Sequence, residues 1–134
     1  QPAPPPPPAP VAWEDAPLTP GTWRYADGAA RYGVAGQAPL ASLACNAAAR
    51  TISLSRHGTG ITVPVLAVTT SYGKRQLPGV VGAEGVTARL TASDGLTDWM
   101  VYSRGRIRID VSGQPPLTLP AWAEIARVVE DCRK

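Results

Sequence analysis

Apolar and polar residues alternate with a period of two along much of this chain, the pattern of strands with one buried face. RIRIDVS shows it most clearly, with Ile107, Ile109 and Val111 on one face and Arg106, Arg108 and Asp110 on the other. VTARLTA repeats it: Val86, Ala88 and Leu90 (with Ala92) oppose Thr87, Arg89 and Thr91. In RTISLSR, Ile52 and Leu54 alternate with Thr51, Ser53 and Ser55, and LASLACN precedes it across a short NAAA connection. That spacing predicts a hairpin. TWRYADGAARYGVA predicts another, because Asp27-Gly28 readily takes the positive φ values of a tight turn. ITVPVLAVTT is β-branched and reads as a strand, with Pro64 placing it at an edge or a bulge because proline cannot donate to a ladder. SYGKRQLPGVVGAEG is rich in glycine and has no clear period. After RIRIDVS, SGQP turns the chain back into PLTLP.

The period changes at SDGLTDWMVYS. Leu96, Trp99 and Met100 stand at i, i+3 and i+4, with Ser93 or Asp94 as N-cap, predicting about two helical turns ended near Gly105. In PAWAEIARVVEDCR, Pro120 suits a first helical turn. Trp122, Ile125, Ala126, Val129 and Cys132 then form one stripe, with Glu124, Arg127, Glu130 and Asp131 facing away. The expected fold is mainly β: an antiparallel sandwich or open barrel with a short helix and a C-terminal helix packed through Trp122, Ile125 and Val129. Trp23 and Trp99 also fall at core positions. Trp13 fits no core pattern and either staples the N-terminal arm or touches a partner.

Composition divides the 134 residues into an arm and a domain. Seven of the first ten residues, QPAPPPPPAP, are proline. Such a stretch favours polyproline II, a semi-rigid spacer about 30 Å long. Residues 1–20 are therefore read as a tether and 21–134 as one domain. The net charge is +3, carried by eleven arginines and two lysines. No run of 18 apolar residues is present, and no charged n-region leads into an apolar core. A chain opening on a Pro/Ala run looks processed, as in envelope lipoproteins where a lipidated Cys precedes the spacer. The expectation is export by a cleaved signal peptide to the periplasm or outer envelope, with a lipid anchor in the precursor a conjecture. Cys45 and Cys132 lie 87 positions apart. They are either a disulfide, for which the loop-entropy model gives about 4.6 kcal/mol, or two unrelated buried thiols. The export-like N-terminus favours the disulfide.

Catalytic chemistry finds little to work with. His57, in RHGTG, is the one histidine, and it lies between strands without a nearby orienting carboxylate. One His and two Cys do not make the paired ligands of a zinc site, and no calcium or phosphate loop is present. No metal and no cofactor is expected. Asp94 and Asp98, four apart on one helix, read as a cap and a solvated residue rather than the facing carboxylates of a glycosidase. SRGRIR is the main binding candidate. If the strand begins near Ser103, then Arg104, Arg106 and Arg108 form a ladder of guanidinium groups able to grip an anionic ligand or an acidic partner, with Trp99 or Tyr102 at its margin. The competing reading pairs these arginines with Asp94, Asp98, Asp110 and the acidic residues of the last helix. Nucleic acid is not expected, because the aromatics do not interleave with the arginines.

The segments TWRY, LACN, LTASDGLTDWMVYSRGRIRIDV and LTLPAWAEIARVVEDCR resemble those of a group of small exported proteins of Gram-negative bacteria. The resemblance covers most of residues 21–133 and implies a periplasmic or membrane-anchored domain; no activity is assigned to that group. A looser similarity, in the strand–turn–strand–helix close and the cysteine placement, is to the invasion-associated locus B family of periplasmic β-sandwiches. Periplasmic lysozyme inhibitors are similar in size, compartment and disulfide, but their inhibitory loop residues are missing. The functional expectation is a non-catalytic envelope domain that binds a macromolecular partner or supports envelope integrity. The alternatives are an envelope hydrolase of unknown type or an inhibitor of a secreted enzyme.

Overall fold

The computed structural model describes residues 3–5 and 12–134. Most of the predicted polyproline stretch lies outside these residues. The chain forms nine strands in one antiparallel sheet that curls into an open half-barrel, with two helices. The strands are β1 (Thr22–Ala26), β2 (Ala29–Gly33), β3 (Ala41–Asn46), β4 (Thr51–His57), β5 (Val65–Thr70), β6 (Gly73–Gly82), β7 (Gly85–Thr91), β8 (Arg106–Asp110) and β9 (Leu117–Pro120). The helices are α1 (Gly95–Tyr102) and α2 (Ala123–Arg133). Their order across the sheet is β1-β2-β3-β4-β7-β6-β5-β8-β9. The mainly antiparallel β architecture with a terminal helix is the one expected from the sequence.

Both predicted hairpins form. Asp27 and Gly28 take φ of 51° and 76°, so the turn twists with the strands it joins. Alternation holds in the strands where it was clearest. Ile52 and Leu54, Val86 with Ala88 and Leu90, and Ile107 with Ile109 are buried in one cluster. The interior of the curl is closed by α2, whose Ile125, Val128, Val129 and Cys132 join that cluster. Cys45 on β3 and Cys132 on α2 form a disulfide, with Cα atoms 5.5 Å apart. On β1, the Tyr25 ring lies under Arg127, whose guanidinium carbon is 3.9 Å from the ring centre. The Tyr25 hydroxyl donates to Asp131 at 2.7 Å.

Four expectations need correction. The glycine-rich stretch without a period contains β6, the longest strand. It pairs with β5 through Gly73–Pro78 and with β7 through Gly79–Gly82, joining the two halves of the sheet. Gly79 serves close approach to β7: a Cβ there would stand 2.8 Å from the Val86 side chain. Pro64 is neither on an edge strand nor in a bulge, because β5 begins after it and lies between β6 and β8. Its carbonyl accepts from the Gly79 N–H at 2.8 Å. Pro120 ends β9 rather than starting the helix, and it is buried. Trp122 is the N-cap of α2 in an extended conformation, which turns it off the helical stripe; it is 46% exposed, and Val128 fills the core in its place.

The tether meets the domain before residue 21. The Thr19 N–H donates to the Thr118 carbonyl at 2.8 Å and its hydroxyl accepts from the Thr118 N–H at 2.9 Å, so this segment covers the outer edge of β9. Trp13–Asp15 form a single 3₁₀ turn with Trp13 half-buried.

Candidate functional site

Three turns converge at the end of the sheet where β5 leads into β6, α1 leads into β8, and β9 leads into α2. The side chain of Ser71 and that of Ser103 lock the first two together. The Ser71 N–H donates to Ser103 Oγ at 3.0 Å, and the Arg104 N–H donates to Ser71 Oγ at 2.9 Å. Ser103 Oγ in turn donates to the Arg106 carbonyl at 2.7 Å. The third turn joins through the Ala121 N–H, which donates to the Gly105 carbonyl at 3.1 Å. Gly105 has φ of 76°, a left-handed kink that suits glycine and lets this tight corner form.

Each turn presents one aromatic ring to solvent. Tyr72 is 55% exposed, Tyr102 is 66% exposed and Trp122, as noted, is nearly half exposed. Among the described residues these are the exposed aromatics, and all three sit at this end. Beneath them, Trp99 is half-buried against the core, its ring edge directly over Gly73, where a Cβ would stand 3.1 Å from it. Arg104 is exposed between the Tyr102 and Trp122 turns and takes part in no ion pair among the described residues. Lys74, also exposed, follows the Tyr72 turn.

The arginine ladder is resolved into three different situations. Strand β8 begins at Arg106, so Arg104 belongs to the turn and not to the strand face. Arg106 and Arg108 do share a face. Arg106 donates to the Ala16 carbonyl, fastening the arm to the domain, and Arg108 donates to Asp110 at 3.1 Å. Arg104 alone of the three is free to meet a partner.

The other candidates are dispersed. Asp94 caps α1 by accepting from the Leu96 N–H at 2.9 Å, and it pairs with Arg75. The Arg75 guanidinium, aided by the Leu96 N–H and acting against partial burial, holds the Asp94 carboxyl below its usual range. Asp98 pairs with Arg133 at 2.9 Å, tying α1 to α2. His57 lies at the far end of β4, where its Nε2 is 3.0 Å from Ser42 Oγ. Burial lowers its pKa; Arg56 and Arg31 add to that, while Glu84 opposes it. Neither Asp94 nor Asp98 meets His57.

Sequence reasoning named Tyr102, Trp99 and Arg104 but missed Tyr72 and Trp122. Tyr72 sits in the stretch without a period. Trp122 was placed in the core because it extends the helical stripe by one step. The Ser42–His57 contact depends on the register of β3 against β4, with Ser42 opposite Ser55, and no local signal carries it. No helix among the described residues is long and apolar enough to cross a membrane. The chain matches no family model, no curated protein and no solved structure.

Proposed function

We propose that this protein is an exported, non-catalytic envelope domain that binds another protein through the end bearing Tyr72, Tyr102, Trp122 and Arg104. The observation that carries the reading is the gathering of every exposed aromatic ring among the described residues around one unpaired arginine. Tyr, Trp and Arg dominate the energetics of protein interfaces: the aromatic rings bury large areas with few rotatable bonds to freeze, and the arginine fork presents several donors in a fixed plane. The turns that carry them are hydrogen-bonded to one another, so little further ordering is needed on binding. Arm composition and the disulfide support export, since such a bond persists in an oxidising compartment. The half-buried Trp13 and the covered edge of β9 support an arm that holds the domain at a set distance from its anchor.

The test is a photocrosslinking amino acid at position 102, with position 80 on the opposite part of the sheet as control. A discrete protein adduct from position 102, lost on Arg104→Glu and absent from position 80, supports the reading. Adducts that are equal at the two positions, or none at positions 72, 102 and 122, overturn it. The hydrolase alternative rests on the Ser42–His57 contact. It requires ester hydrolysis that Ser42→Ala abolishes.

A further inference from the structure

The outward face of β1–β4 and β7 carries a second set of arginines, remote from the aromatic end. Cross-strand register places Arg24 opposite Arg31, Arg31 opposite Ser42, Ser42 opposite Ser55, and Ser55 opposite Thr87. Partners in an antiparallel sheet point to the same side, so these five side chains form one row. Arg89 and His57 flank the row on the same face, two residues from Thr87 and Ser55 along their strands. The opposite faces of these strands are buried in the core.

Two features of the row are unusual for a merely solvated surface. Arg24 and Arg31 are directly opposed like charges, which destabilises a sheet. Neither has an ion-pair partner among the described residues. The face is also not flat. A concavity of about 280 Å³ is lined by Arg24, Arg31, Thr22 and Gln37. A second, of about 810 Å³, is lined by Ser55, Thr87, His57, Arg89 and the β6–β7 hairpin around Pro78 and Val80. Of the row's hydroxyls, Ser42 lies between the two concavities, while Ser55 and Thr87, bonded at 2.8 Å, line the second.

We infer that this face binds an acidic polysaccharide laid across the strands. At about 4.8 Å per strand, Arg31 and Thr87 are roughly 14 Å apart, so the row spans several sugar units rather than one. Cations at both ends take carboxylate or sulfate groups, and arginine suits both because its donors form a fixed fork. The hydroxyls between them meet a ligand whose own middle is made of hydroxyls. An anion bridging Arg24 and Arg31 removes the repulsion that the free protein carries. Single-stranded nucleic acid fits less well. Its binding relies on aromatic stacking platforms, and no aromatic side chain occupies an outward position of these strands.

The experiment measures binding of the whole protein to polygalacturonate, dextran sulfate, neutral dextran and oligo(dT), at 50 and 200 mM salt. Binding to one or both acidic glycans is expected, weakening at the higher salt; which one binds distinguishes carboxylate from sulfate recognition. Arg24→Gln/Arg31→Gln should weaken it at least tenfold with Tm unchanged or raised, since a like-charge pair is removed. Arg89→Gln alone, at the other end, should weaken it severalfold. Tyr102→Ala/Arg104→Gln should leave it unchanged, which separates this face from the protein-binding end. No binding to either acidic glycan, tighter binding to oligo(dT), equal binding to neutral dextran, or arginine variants that bind like the wild type would each overturn the inference.

Discussion

The indole N–H of Trp23, on the first strand, donates to the carbonyl of Pro120, on the last, at 2.7 Å. Both residues are buried, and they stand 97 positions apart. The edge strands of an open sheet are thus brought together without sharing a ladder. Trp23 also packs edge-on against Tyr32, with ring centres 5.2 Å apart.

Replacing Trp23 by Phe keeps most of the ring and removes the donor. The Pro120 carbonyl is left buried without that partner, which costs about 1–3 kcal/mol. Urea unfolding should show a lower midpoint with an unchanged slope. A midpoint equal to that of the wild type would mean that the strands are held without this bond.

The disulfide makes a second, larger prediction. The unfolded, unreduced protein should titrate with no free thiol, whereas two thiols would show that Cys45 and Cys132 are not joined. Reduction, or Cys45→Ser/Cys132→Ser, should cost about 2–5 kcal/mol, the range for a bond closing a long loop. Melting curves with and without reductant read this directly.

Gly85 is the most sensitive backbone position. It has φ of 150°, and a Cβ there would stand 2.2 Å from the Arg56 carbonyl oxygen. Neither the backbone nor a flexible side chain can yield cheaply, so Gly85→Ala should cost about 2 kcal/mol or more. Gly82→Ala, in the same hairpin, meets nothing within 4 Å and serves as the control.

His57 and Asp94 act on the acid limb of stability in different windows. His57 is buried enough to have its pKa lowered, so the unfolded chain takes up a proton first as pH falls. Stability is then lost from about pH 6.5 downward until the folded histidine also titrates. His57→Gln should remove that loss, flattening Tm between pH 7 and pH 5. Asp94 acts lower. Its carboxyl, depressed by Arg75, stabilises the fold above the ordinary carboxylate value and ceases to as pH falls through its own. Asp94→Asn should make the curve less steep below about pH 4, leaving the share due to Asp131, and leave the His57 window unchanged.

Much of the fold was legible because local pattern and tertiary role agree. Asp27-Gly28, the alternation in β4, β7 and β8, and the capping of α1 by Asp94 each express a preference that the folded chain also uses. β6 was illegible for a physical reason. Gly79 lets β7 come close, Gly73 sits under the Trp99 ring, and the strand's one buried side chain, Leu77, makes no period. The position of Trp122 turned on a single residue: one step further into the helix it would have been core. The two candidate surfaces were less visible still. Tyr72, Tyr102 and Trp122 are brought to one end by contacts across turns, and the Arg24–Thr87 row exists only through strand register.

The path of the disulfide also sets an order of events. The strands β1 to β4 form a continuous meander, so this part can pair as soon as it emerges during synthesis. Cys45 lies inside that meander, while its partner belongs to the last helix. Until Cys132 arrives, 87 positions later, Cys45 is an unmated thiol on a half-built sheet whose free edge is open. Any oxidant present in that interval can couple it to a second copy of the chain. The yield of correctly paired monomer therefore depends on α2 docking faster than two nascent chains meet, and it should fall as the rate of production rises.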